Sequence, residues 1–288
     1  MSKEVIEKIY PETKEVTKLK EELKATNEKL VISEAFKGHF ISNITNEIIN
    51  PFTSILGISK SIMDLKEKQI GQIHSMANLI YNESFELDFQ LRNIFEAAKI
   101  EAGETNIESN KLRIVNTIEA EVERFRFKAE KKSLYFDTKS QIEENIGFIT
   151  DAAKFKIIIA NLISNAIKFS RDKNKIEIVI SMNNNTLEIS ISNIGVGLSQ
   201  KDIKVMFDRF LRLDERINSI NNGHGLGLSI VSYYIDLLGG KIEVTSKESI
   251  NTVMLSLPEL SHNNMEGNSE ETDFFDDFEL FDNDSELF

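Results

Sequence analysis

No cysteine occurs among the 288 residues, which excludes disulfides, thiolate nucleophiles and zinc–thiolate centres. No apolar run approaches the roughly 20 residues that a membrane-spanning helix needs. The opening MSKEVIEKIYPETKEV is charged throughout and lacks the apolar stretch of a signal peptide. The expectation is a cytoplasmic protein with no membrane span. Lysine and arginine are missing from Ser261 to Phe288, where ten residues are Asp or Glu. The net charge of −13 therefore belongs mostly to this tail: residues 1–260 carry 34 basic residues against 37 acidic ones. A nearly balanced body offers no basic face for nucleic acid. The chain is long enough for two domains, each with its own core.

Ile9, Val16, Leu23 and Leu30 recur every seven residues, with Leu19 and Phe40 on the adjacent seam. Such a repeat, with Lys and Glu elsewhere, reads as a helical coiled coil, or else as a single amphipathic helix lying on the body. Pro11 suits the first turn of this helix. From about Glu34 to Leu65 apolar residues at three- and four-residue steps (Phe36, Phe40, Ile44, Ile48, Ile55, Ile58, Ile62) predict a second helix. Pro51 lies inside it and removes a backbone donor. Lys66 to Gln72 reads as a connector containing Gly71. A further helix follows through Ile73, Met76, Leu79, Ile80, Leu87, Leu91, Ile94, Phe95 and Ala98 to about Ala102, with Gly103 as its stop. Two long helices on a short link form an antiparallel hairpin. One hairpin has little core of its own, so two copies in a four-helix bundle, a homodimer, are expected.

Beyond Gly103 short alternating segments predict strands at Ser133–Asp137, Lys175–Met182, Thr186–Ser192, Lys241–Ser246 and Thr252–Leu257. Helices are predicted near Val115–Lys131, Ala152–Phe169 and Gly227–Leu238. This is the pattern of an α+β sandwich, a helical layer on one mixed sheet. Four segments here suit a metal-triphosphate. Asn161, Asn165 and Lys168 fall at i, i+4 and i+7 on one helical face. Asn193-Ile-Gly195-Val-Gly197 and Gly223-His-Gly225-Leu-Gly227 are glycine-rich turns whose backbone N–H groups can approach phosphate or base. The second opens a helix, and a helix N-terminus favours anions. Val205-Met-Phe207-Asp-Arg-Phe210 lies between them. Each segment alone is weak; their order across about 70 residues is specific.

Together with the stretch Phe40 to Phe52, these segments resemble the signature boxes of sensor histidine kinases, and the resemblance covers roughly Glu34 to Leu260. Asp151, Gly239-Gly240-Lys241-Ile242 and Ser256-Leu257-Pro258 also fall where the family has equivalents. The resemblance implies an N-terminal coiled-coil helix at 1–33, a dimerisation and phosphoacceptor-like hairpin at 34–103, an ATP-binding domain at 104–260 and a tail at 261–288. It implies ATP and Mg²⁺ as cofactors. Asn161 would hold the metal, Asn165 and Lys168 would contact phosphates, and Gly225 and Gly227 would cover the triphosphate. Gly195 and Gly197 would shape the base end of the pocket, and Thr252 keeps the threonine of a family glycine–threonine pair whose glycine is Asn251 here. At Asn193 the family carries an aspartate that accepts from the adenine amino group. Asparagine also accepts, and its amide can donate to a ring nitrogen, but a charge-assisted bond is lost.

The phosphate-carrying histidine of the family is Asn46 in this chain. An amide nitrogen, with its lone pair delocalised, cannot accept a phosphoryl group as imidazole does. The acidic neighbour Glu47 and the polar Asn50 are kept, on one face at i and i+3. Such a pair could orient a water toward a partner's aspartyl-phosphate, or could be two exposed polar residues. His39 is the substitute acceptor to weigh, about 10 Å along the axis; His74 and His224 are weaker candidates. The expectation is an ATP-binding dimer impaired in autophosphorylation at the usual place, acting as regulator or phosphatase of a response regulator or partner kinase. An active kinase using His39 is the alternative. With no sensor or receiver segment in the sequence, input and output are expected from other chains. The tail, with five Phe among its acids from Asp273 onward, reads as a motif for a basic, apolar groove or as a passive disordered segment.

Overall fold

A computed structural model of the chain describes residues 48–65, 69–143, 146–199 and 226–261, together with residues 16, 19, 20, 23, 24 and 203. Asn46, Glu47, His39, the segment 205–210, His224, Gly225 and the tail from 262 onward lie outside the described residues. Val16 and Leu23 of the seven-residue repeat, and Leu19 on the adjacent seam, are helical and exposed.

Residues 48–63 are helical, with Pro51 inside, and are labelled α1. Helix α2 spans Ile70–Ala102. It begins within the stretch expected to be a connector, so Gly71 is helical. At its end Gly103 takes the left-handed conformation, φ 72°, and its N–H closes on Ile100 O. Strand β1 (Asn110–Arg113) and helix α3 (Ile114–Glu130) follow, then β2 (Tyr135–Ser140), β3 (Gly147–Thr150) and α4 (Ala152–Phe169). The chain continues through β4 (Lys175–Asn183), β5 (Thr186–Ile194), α5 (Leu226–Leu237), β6 (Lys241–Lys247) and β7 (Ile250–Pro258).

The main sheet has five strands in the order β2-β4-β5-β7-β6. Only β2 and β4 run parallel; the other pairs are antiparallel, so the sheet is mixed. Alternation decides which face carries the helices. Ile176, Ile178 and Ile180 of β4, Leu187, Ile189 and Ile191 of β5, and Leu255 and Leu257 of β7 are all buried, while their neighbours are more exposed. Helices α3, α4 and α5 cover that face with Ile118, Phe125, Phe155, Ile159, Ile163, Ile230, Val231 and Tyr234. The chain is the α+β sandwich the sequence predicts.

A second, two-stranded sheet pairs β1 with β3, Asn110 opposite Thr150. Four-residue strands such as Asn-Lys-Leu-Arg carry too little apolar alternation to be read from sequence. Strand β3 delivers the chain to Asp151, which caps α4. Its carboxylate accepts from Lys154 N at 3.0 Å, Lys154 Nζ at 2.6 Å and Glu108 N at 2.9 Å. A cap so fully satisfied fixes where α4 starts, and with it the angular position of every residue on that helix.

The second half of α2 is a further layer on the helices. Phe125 of α3 meets Phe85 and Phe89 of α2 edge-on, at centroid distances of 5.3 and 5.4 Å. Lys128 of α3 pairs with Glu86 at 2.6 Å. Thr105 and Tyr233 share a hydroxyl hydrogen bond of 2.7 Å. Phe89 and Asn93 are the buried residues of α2, whereas Leu79 and Phe95, expected on its apolar face, are exposed.

Candidate nucleotide site

Helix α4 is apolar around most of its circumference, which is why it sits at the centre of the layer; Asn161 is a polar residue buried within it, 3% exposed. Its Nδ2 donates to Ile157 O one turn back at 2.9 Å and to Asn93 Oδ1 of α2 at 2.8 Å. Both protons of the amide are thereby used. Its Oδ1 faces Gly227 in the first turn of α5, so closely that a Cβ added there would lie 2.4 Å from it. Only glycine permits this approach. Asn161 and the first turn of α5 are thus in contact in the fold.

One turn on, Asn165 has its Nδ2 buried with no hydrogen-bond partner among the described residues. Lys168 extends over the ring of Phe169, with Nζ 5.5 Å from its centroid. At the far end of the helix Lys132 donates to the carbonyls of Ile167 and Lys168 at 3.0 and 2.9 Å, satisfying C-terminal acceptors and complementing the helix dipole.

Strand β5 brings Asn193 to the same end of the sandwich, on the helix-facing side continuous with Ile189 and Ile191. It is 7% exposed, and its Nδ2 is also buried with no partner among the described residues. Gly195 follows, bridged to Ser170 just past α4. A Cβ on Gly195 would lie 2.3 Å from Phe169 O and about as close to the amides of Asn251 and Asn193 as a hydrogen-bonded atom, 2.9 and 3.0 Å. Gly197 is exposed.

Asn251, which the sequence marks only as a missing glycine, has a structural part to play. It is buried opposite Asn193 in the β5–β7 register. Its Nδ2 donates to Val196 O at 3.1 Å, and its Oδ1 accepts from Ser246 Oγ at 2.7 Å. Ser246 Oγ in turn accepts from Leu198 N at 2.9 Å. The turn 195–198 is tied to β6 and β7 through this pair. Thr252 points the other way: its hydroxyl meets Ser192 at 2.9 Å, and Ser192 stands on the opposite face of β5 from Asn193. On α1, Asn50 is exposed. On α2, His74 is exposed.

An unpartnered buried donor costs about 1–3 kcal/mol. Two of them, without a partner among the described residues, are on Asn165 in the C-terminal half of α4, between the approaches of Gly227 to Asn161 and of Gly195 to Phe169 O, and on Asn193 beside Gly195. A ligand bringing acceptors fits that arrangement, and a purine nucleotide offers both ring nitrogens and phosphate oxygens. Among the described residues no group of three or more His, Cys, Asp or Glu could hold a metal. Asn161 Oδ1, not engaged by the amide's own hydrogen bonds, is the oxygen a hard cation could use.

The family model for histidine kinase-, DNA gyrase B-, and HSP90-like ATPases matches residues 150–261, which include the α4 face, the Asn193 turn and the start of α5. The autoinducer 2 sensor kinase/phosphatase LuxQ of Vibrio parahaemolyticus is 27% identical over 230 residues, covering 77% of this chain and 26% of LuxQ. The chain spans about a quarter of the length of the curated relatives it matches. Among solved structures, full-length ShkA in complex with AMPPNP matches with a TM-score of 0.53 and 18% identity over 77% of this chain and 46% of that one. The histidine kinase ThkA in complex with the response regulator protein TrrA matches with a TM-score of 0.51 and 21% identity, over 79% of this chain and 63% of that one. At those identities the two structures show the fold. Among the described residues no helix is long and apolar enough to cross a membrane. With a match to this ATPase model on the C-terminal side of helices α1 and α2, and sensor kinases matching more than three quarters of its length, the chain is similar to sensor histidine kinases and shares their fold.

Proposed function

We propose that this chain binds Mg-ATP at the α4–α5 end of the sandwich and works in two-component signalling without phosphorylating position 46. In this reading it acts as a regulator or phosphatase of a response regulator or partner kinase. The observation that carries the nucleotide part is the pair of buried amide donors on Asn165 and Asn193, without a partner among the described residues, near Gly195 and Gly227. Asn193 meets the purine edge, accepting from an exocyclic amine and donating to the adjacent ring nitrogen. Asn165 and Lys168 take phosphate oxygens, with Gly225 and Gly227 over the triphosphate, Gly195 and Gly197 at the base, and Thr252 supporting the sheet beneath. Asn161 presents its carbonyl oxygen to Mg²⁺, which when bound supplies charge neutralisation between phosphates.

Asn46 decides against the usual transfer, because a carboxamide has no nucleophilic lone pair to attack a γ-phosphorus. Glu47 and Asn50 do not depend on a phosphohistidine. With a partner's aspartyl-phosphate seated on the hairpin, Asn50 holds a water by its carboxamide and Glu47 takes a proton from it. Support comes from the relatives: LuxQ carries both kinase and phosphatase in its name, and ThkA was solved with a response regulator. The reading of the hairpin as a dimer is supported by the exposed apolar residues of α1 and α2, among them Ile49, Phe52, Leu56, Met63 and Ile70. The Phe-rich acidic tail is a docking segment for a basic, apolar partner surface.

Transfer of labelled γ-phosphate from Mg-ATP to the purified chain, beside Asn46→Ala and Asn46→His, tests the reading. The expected result is no label on the natural chain and label on Asn46→His. Label surviving in Asn46→Ala overturns it in favour of an active kinase, with His39 the first acceptor to replace. A partner dephosphorylated equally well by Asn50→Ala removes the phosphatase part.

A further inference from the structure

We infer that Asn93 of helix α2 is a positioning residue for the metal, setting the Asn161 carboxamide so that its oxygen and not its nitrogen faces the nucleotide. The inference rests on the nucleotide reading above and adds to it a residue from outside the matched ATPase domain, since Asn93 precedes residue 150.

A primary amide in a buried site has two orientations that differ only by exchange of O and NH₂, and the surrounding hydrogen bonds choose between them. At Asn161 one proton of Nδ2 is taken by Ile157 O, 2.9 Å away within the same helix. That bond alone is an ordinary back-bond to the preceding turn and is easily lost to rotation about χ. The second proton goes to Asn93 Oδ1 at 2.8 Å, across 68 residues of sequence. Two acceptors on the nitrogen side make the flipped orientation costly, because it would set the Asn161 oxygen against both Ile157 O and Asn93 Oδ1. The oxygen is thereby left toward Gly227, where the absent side chain leaves room for it.

Both asparagines are buried, Asn93 at 5% and Asn161 at 3% exposure, so water does not substitute for either partner at low cost. Asn93 is itself held in register by neighbours on α2: Phe89 packs on Phe125, and Glu96 accepts from the hydroxyl of Tyr234. A displacement of α2 along or away from the helical layer would withdraw the acceptor and free the Asn161 amide to turn. The geometry therefore links the position of the hairpin helix to the metal-dependent part of nucleotide binding.

The test is calorimetric titration of the full chain with a non-hydrolysable ATP analogue, once with Mg²⁺ and once with EDTA. Asn93→Ala should weaken binding in Mg²⁺ about three- to tenfold, the effect of one buried hydrogen bond, and leave binding in EDTA unchanged. Asn93→Asp, which keeps an acceptor oxygen, should restore the Mg²⁺ value. Glu86→Ala, which removes the ion pair to Lys128 in the same α2 contact without reaching Asn161, should leave the ratio of the two affinities as in the natural chain. Equal losses with and without Mg²⁺ in Asn93→Ala, no loss at all, or tighter binding would each overturn the inference while leaving nucleotide binding intact. No binding by any form, the natural chain included, would overturn the nucleotide reading and this inference with it.

Discussion

The hydroxyl of Tyr234 on α5 donates to the carboxylate of Glu96 on α2, joining two helices through residues 138 apart in sequence. Tyr234 is fully buried. Burial first, and the neighbouring carboxylate second, hold its hydroxyl protonated far above the ordinary tyrosine range. The donor is therefore present through neutral and mildly alkaline pH. Tyr234→Phe should lower stability by about 1–2 kcal/mol, the cost of leaving Glu96 with Lys99 as its remaining partner. Urea denaturation should show the same loss across neutral and mildly alkaline pH, and amide exchange in the second half of α2 should quicken.

Gly227→Ala tests the contact on the other side of Asn161. The new Cβ would sit 2.4 Å from Asn161 Oδ1, so the amide or the first turn of α5 must move. Overpacking of this kind costs about 1–3 kcal/mol. Binding of an ATP analogue should fall further than stability does, because the displaced atom is the proposed metal ligand. Unchanged affinity in a titration would show that Asn161 Oδ1 takes no part.

Asn193→Asp removes a buried amide donor that has no partner among the described residues and supplies a charged acceptor. Adenine nucleotides should then bind about five- to tenfold more tightly, as a neutral hydrogen bond becomes charge-assisted. Competition with a 6-oxopurine nucleotide is the sensitive readout. The natural chain should discriminate between the two purines less than the variant does, because an amide can present either a donor or an acceptor to the base edge.

Glu121 on α3 is 3% exposed. Burial raises its carboxyl above the ordinary glutamate value, with Arg124, 3.1 Å away, opposing. A group protonated more readily in the fold than in the unfolded chain contributes stability that is full below its unfolded value and is lost as pH rises through the raised one. Natural chain and Glu121→Gln should therefore diverge on going from acid to neutral pH, with the variant gaining. Urea midpoints measured from about pH 4 to about pH 8 check this; parallel curves would place an ionised Glu121 fully compensated by Arg124.

Much of the frame was legible because it depends on local rules. The predicted helix Ala152–Phe169 coincides with α4, since a long apolar period marks it without reference to anything distant. The other strands and helices beyond Gly103 fall within a few residues of their predicted bounds, and Gly103 closes α2 as a left-handed cap should. The start of α2 was misread because Gly71 looked like a break, whereas a glycine in a first turn costs a long helix little. Strands β1 and β3 escaped because each is four residues long and exists only through the other.

What the sequence determined by itself is the order of the longer elements and the identity of the polar residues at one end of the sandwich, because period, caps and glycine turns act over a few residues. What the tertiary structure alone decided is which of those polar groups meet. Asn93 reaches Asn161, Asn251 reaches Val196, and Tyr234 reaches Glu96 only because α2, α4, α5 and the ends of strands β5 and β7 come together at particular angles. An asparagine in an amphipathic helix shows no local sign of the amide it will face. Its partner is chosen when the helices bury their apolar faces, and the hydrogen bond follows from that packing.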